Sequence, residues 1–190
     1  MDRRNALKNI GTGIGAIAVT STVVNLFQRC QSASTYSTVY FNASDFEKIS
    51  QLMELIIPST DIPGAIELKL PEFTDSYIAA VWDTKRQDDF SSNLKSFLTV
   101  SSQISGENVD QMSISDWDAI LAKLLKPGNE ISEEEKEAES FAKELRSLTI
   151  NAFKTNEFIC ENVLAYAPVP GEQKGCVDLM ETTGGKSWSL

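Results

Sequence analysis

Side chains that move protons, attack carbon or hold metals are few in this chain, and the commonest of them is missing: the 190 residues include no histidine. That excludes a Ser-His-Asp or Cys-His nucleophile, a His-ligated haem and the usual Cys/His zinc site. What remains are carboxylate pairs, Asp88-Asp89 and Asp116 with Asp118, and three cysteines, Cys30, Cys160 and Cys176. Paired carboxylates can divide general acid and base work between them. Nothing in the sequence places these in a cleft, and exposed acidic residues are the rule. Three cysteines without a C-x-x-C spacing or a histidine do not make a metal cluster. Cys160 and Cys176 flank a proline-rich turn. In an exported chain they could pair, and a disulfide closing such a loop contributes about 3 kcal/mol; two free thiols are the alternative. The reading is therefore of no catalytic, cofactor-binding or metal residues in this chain.

The charge points the same way. There are 17 Lys plus Arg against 27 Asp plus Glu, for a formal net charge of −10. Residues 1–29 run against this trend, with Arg3, Arg4, Lys8 and Arg29 opposed by Asp2 alone, so the body is more acidic than the whole. Such a surface repels phosphate backbones, which excludes nucleic-acid binding through a basic patch.

Those first residues read as an address. Met1 to Lys8 is a charged opening, and Ile10 to Phe27 is free of charge and moderately apolar. A stable span needs about 20 mostly apolar residues, so the segment reads as an export signal first and an anchor second. Arg3-Arg4 with Leu7 and Lys8 resembles the twin-arginine signal R-R-x-F-L-K, with Ala6 where Phe is common. Gly11, Gly13 and Gly15 lack the preceding strand and following helix of a dinucleotide fingerprint. Cys30 follows the apolar stretch where a lipoprotein signal places its lipidated cysteine, although Arg29 occupies a position that favours a small residue. Lipidation, an uncleaved anchor and cleavage near Ser32, Ala33 and Ser34 are the three fates left open.

Residues 31–39, rich in Ser and Thr, form a linker, and residues 40–190 form the domain. Apolar residues there recur at helical spacing. Asn42 caps a helix through Phe46, Ile49, Leu52, Met53 and Ile56 that Pro58 stops. Pro71 opens a second, with a core face of Phe73, Tyr77, Ile78, Val81 and Trp82. Phe90, Leu94, Phe97, Leu98 and Ile104 mark a third, and Ser115 with Asp118 opens a fourth through Trp117, Ile120, Leu121, Leu124 and Leu125. Ser132 with Glu135 is a capping box for a fifth, through Phe141, Leu145, Leu148 and Phe153. A short helix beyond Glu157 and an extended tail complete the chain. No apolar/polar alternation marks a strand, so the expected fold is all-α, a single irregular bundle of about five to six helices. Trp188, in a polar tail, is a candidate interface anchor.

Several ordered motifs resemble the gluconate 2-dehydrogenase subunit 3 family, the small subunits of membrane-associated flavoprotein dehydrogenases. Ile56-Ile57-Pro58-Ser59-Thr60-Asp61-Ile62-Pro63-Gly64-Ala65 is similar to the family's I-I-P-x-T-D-T-P-G-A, with Ile62 in place of Thr. Pro71, Phe73 and Asp75 match P-x-F-x-D, and Thr155-Asn156-Glu157 resembles T-S-E. Tyr166, Pro168, Val169, Pro170, Gly171, Gly175 and Cys176 resemble the closing Y-x-P-V-P-G and G-C. The resemblance implies a small subunit without flavin beside a large FAD-binding subunit of the glucose-methanol-choline type, often with a haem-bearing cytochrome c subunit. It also implies a role in assembly and in twin-arginine export of the folded large subunit, which places the protein in the periplasm or on the membrane of the cell envelope. Pro58, Asp61, Pro63, Gly64, Tyr166, Pro168, Pro170 and Trp188 are then the expected contact residues. Two rival readings are a stand-alone helical envelope lipoprotein with a binding role and a carboxylate-dependent enzyme acting alone.

Overall fold

The computed structural model describes residues 36–126, 128, 131–167, 171 and 175–189. The chain divides into two compact units, Met1–Ser37 and Thr38–Leu190, and the second holds the described helices. Arg3, Arg4, Leu7, Lys8, Cys30, Pro168 and Pro170 lie outside the described residues.

The fold is all-α, and the described residues contain no β-strand, only an isolated parallel bridge between Ala165 and Trp188. Helix α1 (Ala43–Ile56) begins where the Asn42 side chain accepts the Asp45 N–H at 2.9 Å, and it buries Ile49, Leu52 and Met53. It ends at Ile56, because Ile57, the residue preceding Pro58, is driven out of helical geometry. Helix α2 (Leu70–Val81) carries Pro71 in its first turn, where a missing N–H costs nothing. Helix α3 (Thr84–Ser105) is capped by Asp83, which accepts the Arg86 N–H at 2.8 Å, and ends at Gly106 in the left-handed region, φ 74°. Helix α4 (Ile114–Leu125) opens on a capping box of Ser113 and Asp116, two residues earlier than the Ser115–Asp118 start expected from the sequence. Helix α5 (Lys136–Thr155) follows a 3₁₀ turn, Glu133–Glu135, in which Glu135 accepts the Ser132 N–H at 3.1 Å as expected. A π-helical turn, Ile159–Val163, replaces the short helix expected beyond Glu157. The tail, expected to be extended, contains one further turn, α6 (Leu179–Thr183).

Helix α5 lies at the centre and packs against α1, α2, α3 and α4. Its buried Phe141 sits between Phe90 and Phe97 of α3, with ring centroids 5.1 and 4.9 Å apart. The series continues from Phe97 to Trp117 of α4 at 6.0 Å and from Phe90 to Phe41 at 6.3 Å. Five rings thus form one aromatic spine that joins three helices and the segment entering α1.

Helix α2 overturns one expectation. Phe73, Tyr77 and Val81, predicted to face the core, are 50%, 37% and 60% exposed, while Leu70, Pro71, Thr74, Asp75 and Ile78 are buried. The reason is Asp75. Its carboxylate is fully buried and accepts the backbone N–H groups of Val39 at 2.7 Å, Tyr40 at 3.0 Å and Phe41 at 2.8 Å. A buried charge is tolerable only with hydrogen-bond donors around it, and here they come from a segment without secondary structure of its own. Tyr40 then reaches α3, its hydroxyl lying 2.6 Å from the Gln87 carbonyl and 2.7 Å from Ser91 Oγ. Burial raises the Tyr40 phenol above its ordinary pKa, so it stays a protonated donor.

Replacing Asp75 by Ala should lower stability by about 3 kcal/mol, since one buried and two partly buried N–H groups lose their acceptor. Urea unfolding of the full chain measures it, and a change within about 0.5 kcal/mol would show the contact to be dispensable. Glu135 gives a pH prediction. Lys123 and the Ser132 N–H hold its carboxyl below the ordinary glutamate range. Its stabilisation is therefore complete above that range and lost as pH falls through the lowered value. Wild type should melt above Glu135→Gln at neutral pH, and the gap should close in acid.

Candidate functional site

The motif from Ile56 to Ala65 builds a loop fastened to the end of α1. Ile57 N–H donates to the Met53 carbonyl at 2.9 Å, and the chain then returns so that Ala65 N–H donates to the Ile57 carbonyl, also at 2.9 Å. A tight turn closes the excursion, Thr60 N–H donating to the Ile62 carbonyl at 3.0 Å. Glu54 of α1 holds both arms: its carboxylate accepts Ser59 N–H at 3.1 Å and Ile66 N–H at 2.8 Å. Gly64 passes against this carboxylate. A Cβ there would stand 2.3 Å from Glu54 Oε1 and 2.6 Å from the Ser59 backbone nitrogen, so only glycine fits. Pro58 and Asp61 are exposed, Pro63 is half-buried, and Gly64 and Ala65 are buried. The tip of the loop therefore faces solvent while its base is internal, and Gly64 shapes the loop without offering a contact.

The remaining motifs join this loop to the C-terminal region. Asn156, where the family pattern has Ser, donates its side-chain amide to the Leu68 carbonyl at 3.3 Å and accepts Ile159 N–H at 3.4 Å. Beyond the π-helical turn, Ala165 N–H donates to the Ser187 carbonyl at 2.8 Å, and Ser189 N–H to the Ala165 carbonyl at 3.0 Å. This pairing places exposed Tyr166 and 46% exposed Trp188 on adjoining backbone segments. The two cysteines of this region are not joined. Cys160 is half-buried and directs its thiol to the Lys154 carbonyl at 3.0 Å, and Cys176 is exposed; both are free.

The carboxylates considered for acid and base chemistry have structural or surface roles. Asp116 closes the cap of α4, where the Ser113 hydroxyl and backbone N–H hold its carboxyl below the ordinary aspartate range. It is an ionised cap and no proton donor at neutral pH. Asp88 and Asp118 are exposed, and Asp89 is an exposed partner of Lys85 at 3.4 Å. Among the described residues, no three His, Cys, Asp or Glu side chains converge where a metal could sit. The all-α architecture of those residues also lacks the strand-turn-helix cradle on which dinucleotides are bound.

One feature escaped the sequence. Between α2 and α5 runs a groove of about 610 Å³, walled by Phe73 and Tyr77 on one side and by Ser140, Ser147 and Asn151 on the other. The two rings stack, centroids 5.9 Å apart at 21°. The Arg86 guanidinium lies 4.0 Å above the Trp82 ring and reaches Glu144 of α5 at 2.9 Å. The sequence ranked the faces of α2 by apolar content alone and so placed Phe73 and Tyr77 in the core rather than on this wall.

The model of the family described as gluconate 2-dehydrogenase subunit 3 matches residues 43–171, more than half of the chain. The chain belongs to the gluconate 2-dehydrogenase subunit 3 family. No curated protein and no solved structure matches it. The subunit 3 match begins at the first residue of α1 and ends at Gly171, so it takes in the Glu54–Gly64 loop, Asp75 and the central helix, while the three N–H donors to Asp75 precede it. Trp188 lies beyond the matched range, although its bridge partner Ala165 lies within it.

Gly64→Ala should destabilise the chain by about 2 kcal/mol. Shortening Glu54 in the same chain should recover only part of this, because the clash with the Ser59 backbone remains. Thermal melts of the two variants measure it, and full recovery would show that Glu54 alone requires the glycine.

Proposed function

We propose that this protein is a non-catalytic accessory subunit of a flavoprotein dehydrogenase of the gluconate 2-dehydrogenase kind, acting on a sugar or sugar acid. It assists assembly of the large FAD subunit and carries it through the twin-arginine translocase. The family membership carries this reading, because the family is described as a subunit and not as an enzyme complete in itself. Two further observations support it. The sequence opens on Arg3-Arg4 with Leu7 and Lys8 ahead of an uncharged stretch, and it holds no histidine. The acidic residues first in line for chemistry are a helix cap and exposed surface groups.

The division of labour has a physical basis. FAD must be inserted into a folded large subunit, and the redox chemistry stays with the protein that binds it. A partner that binds only the folded form stabilises it by mass action. In this reading FAD sits in the large subunit, haem in a cytochrome c subunit where one is present, and this chain holds neither. The mature complex faces the periplasm or lies on the membrane. Attachment would come from the N-terminal segment or from a lipid on Cys30, since no helix among the described residues is long and apolar enough to cross a membrane.

Replacing both Arg3 and Arg4 by Lys should leave this chain and its flavoprotein partner together in the cytoplasm. Cell fractionation with an assay of flavin-dependent dye reduction reads the outcome. Normal export of the partner would overturn the carrier role.

A further inference from the structure

We propose that the groove between α2 and α5 seats an extended, uncharged polypeptide segment of the large partner subunit; this rests on the reading of the chain as a subunit.

The shape of the groove selects a long occupant. Its α5 wall runs from Ser140 to Thr155, about 22 Å at 1.5 Å per residue. Pockets for compact small molecules enclose most of their ligand, whereas this groove is long and only partly enclosed. An extended chain rises about 3.3 Å per residue, so six or seven residues span it.

The charges select a neutral occupant. Arg86 is paired with Glu144 at 2.9 Å and Lys143 with Glu139 at 2.6 Å, so each of these cations on the walls already has a carboxylate of α5. An anionic ligand would have to break one of these pairs, and a cationic one would meet the guanidinium.

The chemistry of the walls suits a peptide. One side offers the apolar faces of Phe73 and Tyr77, and the other offers the hydroxyl and amide groups of Ser140, Ser147 and Asn151. A backbone with neutral side chains matches both, with rings against side chains and polar groups against N–H and C=O. Two residues of the lining, Thr74 and Trp82, are also 1% and 6% exposed, and their Oγ1 and Nε1 atoms are buried without a hydrogen-bond partner. Such an atom costs free energy until it is satisfied.

The test is a photo-crosslinking amino acid placed at Tyr77, or at Trp188 for comparison, in the full chain isolated with its complex from native membranes. The expected result is a crosslink from position 77 to a neutral stretch of the large subunit. Ser147→Arg, an exposed change to a good helix former, should reduce recovery of the partner about tenfold with an unchanged melting temperature. Gln103→Arg on α3 should not reduce it. If the partner co-purifies but crosslinks only from position 188, or if Ser147→Arg recovers it fully, the groove is not the seat and the subunit reading stands. If no flavoprotein accompanies the unsubstituted chain, both fall.

Discussion

A single buried carboxylate decides how the domain is put together. Asp75 gathers three successive backbone N–H groups from residues 39–41 and so fixes a segment that no ladder of its own would hold. That segment delivers Phe41 to one end of the aromatic spine and the Tyr40 hydroxyl to α3. The same contact fixes the rotation of α2, because positions two residues away on a helix lie about 200° round its axis. With Asp75 inward, Phe73 and Tyr77 must point out. The core and the groove are two results of one electrostatic requirement, and neither can change without the other.

The sequence made much of the helical framework legible because the signals there are local. Asn42 and Pro58 bracket α1, and Ser132 with Glu135 starts α5, each through a cap whose partner lies three residues away or through a backbone restriction. The start of α4 was misplaced by two residues because Ser113 and Ser115 both sit three residues before an aspartate, and only the first makes the box. The face of α2 was misread for a different reason. Helical periodicity ranks faces by apolar content, and a stripe containing Thr74 and Asp75 ranks below one containing Phe73, Tyr77 and Val81. What reversed the order was a donor set more than thirty residues away in the chain, which no local pattern contains.

The functional residues divide along the same line. The proline-containing motif was visible as a motif, but its physical content was not. Its glycine exists to let Glu54 hold both arms of the loop, and its exposed part is confined to the tip. Asn156, a departure from the family pattern, turned out to tie the turn that follows that loop to the C-terminal region through the Leu68 carbonyl. The carboxylates, read from spacing as a conceivable acid and base, proved to be a helix cap and surface groups. In a chain without histidine, the acidic side chains with specific partners hold structure, as Asp75, Glu54 and Glu135 each illustrate.

The fastening of the tail differs in kind from all of this. Ala165 is paired to the strand-like end of the chain by two backbone hydrogen bonds, and Lys186 adds a contact to the Asn162 carbonyl at 2.8 Å. Of the large side chains around it, Leu179 and Met180 are mostly in solvent and Trp188 is about half exposed. Local opening costs little where few apolar contacts must be broken. In amide exchange the molecule should therefore separate into two populations, with slow amides along the central helix and fast ones from Val177 onward. The chain thus carries an ordered body and a peelable end that can be rearranged without unfolding the rest.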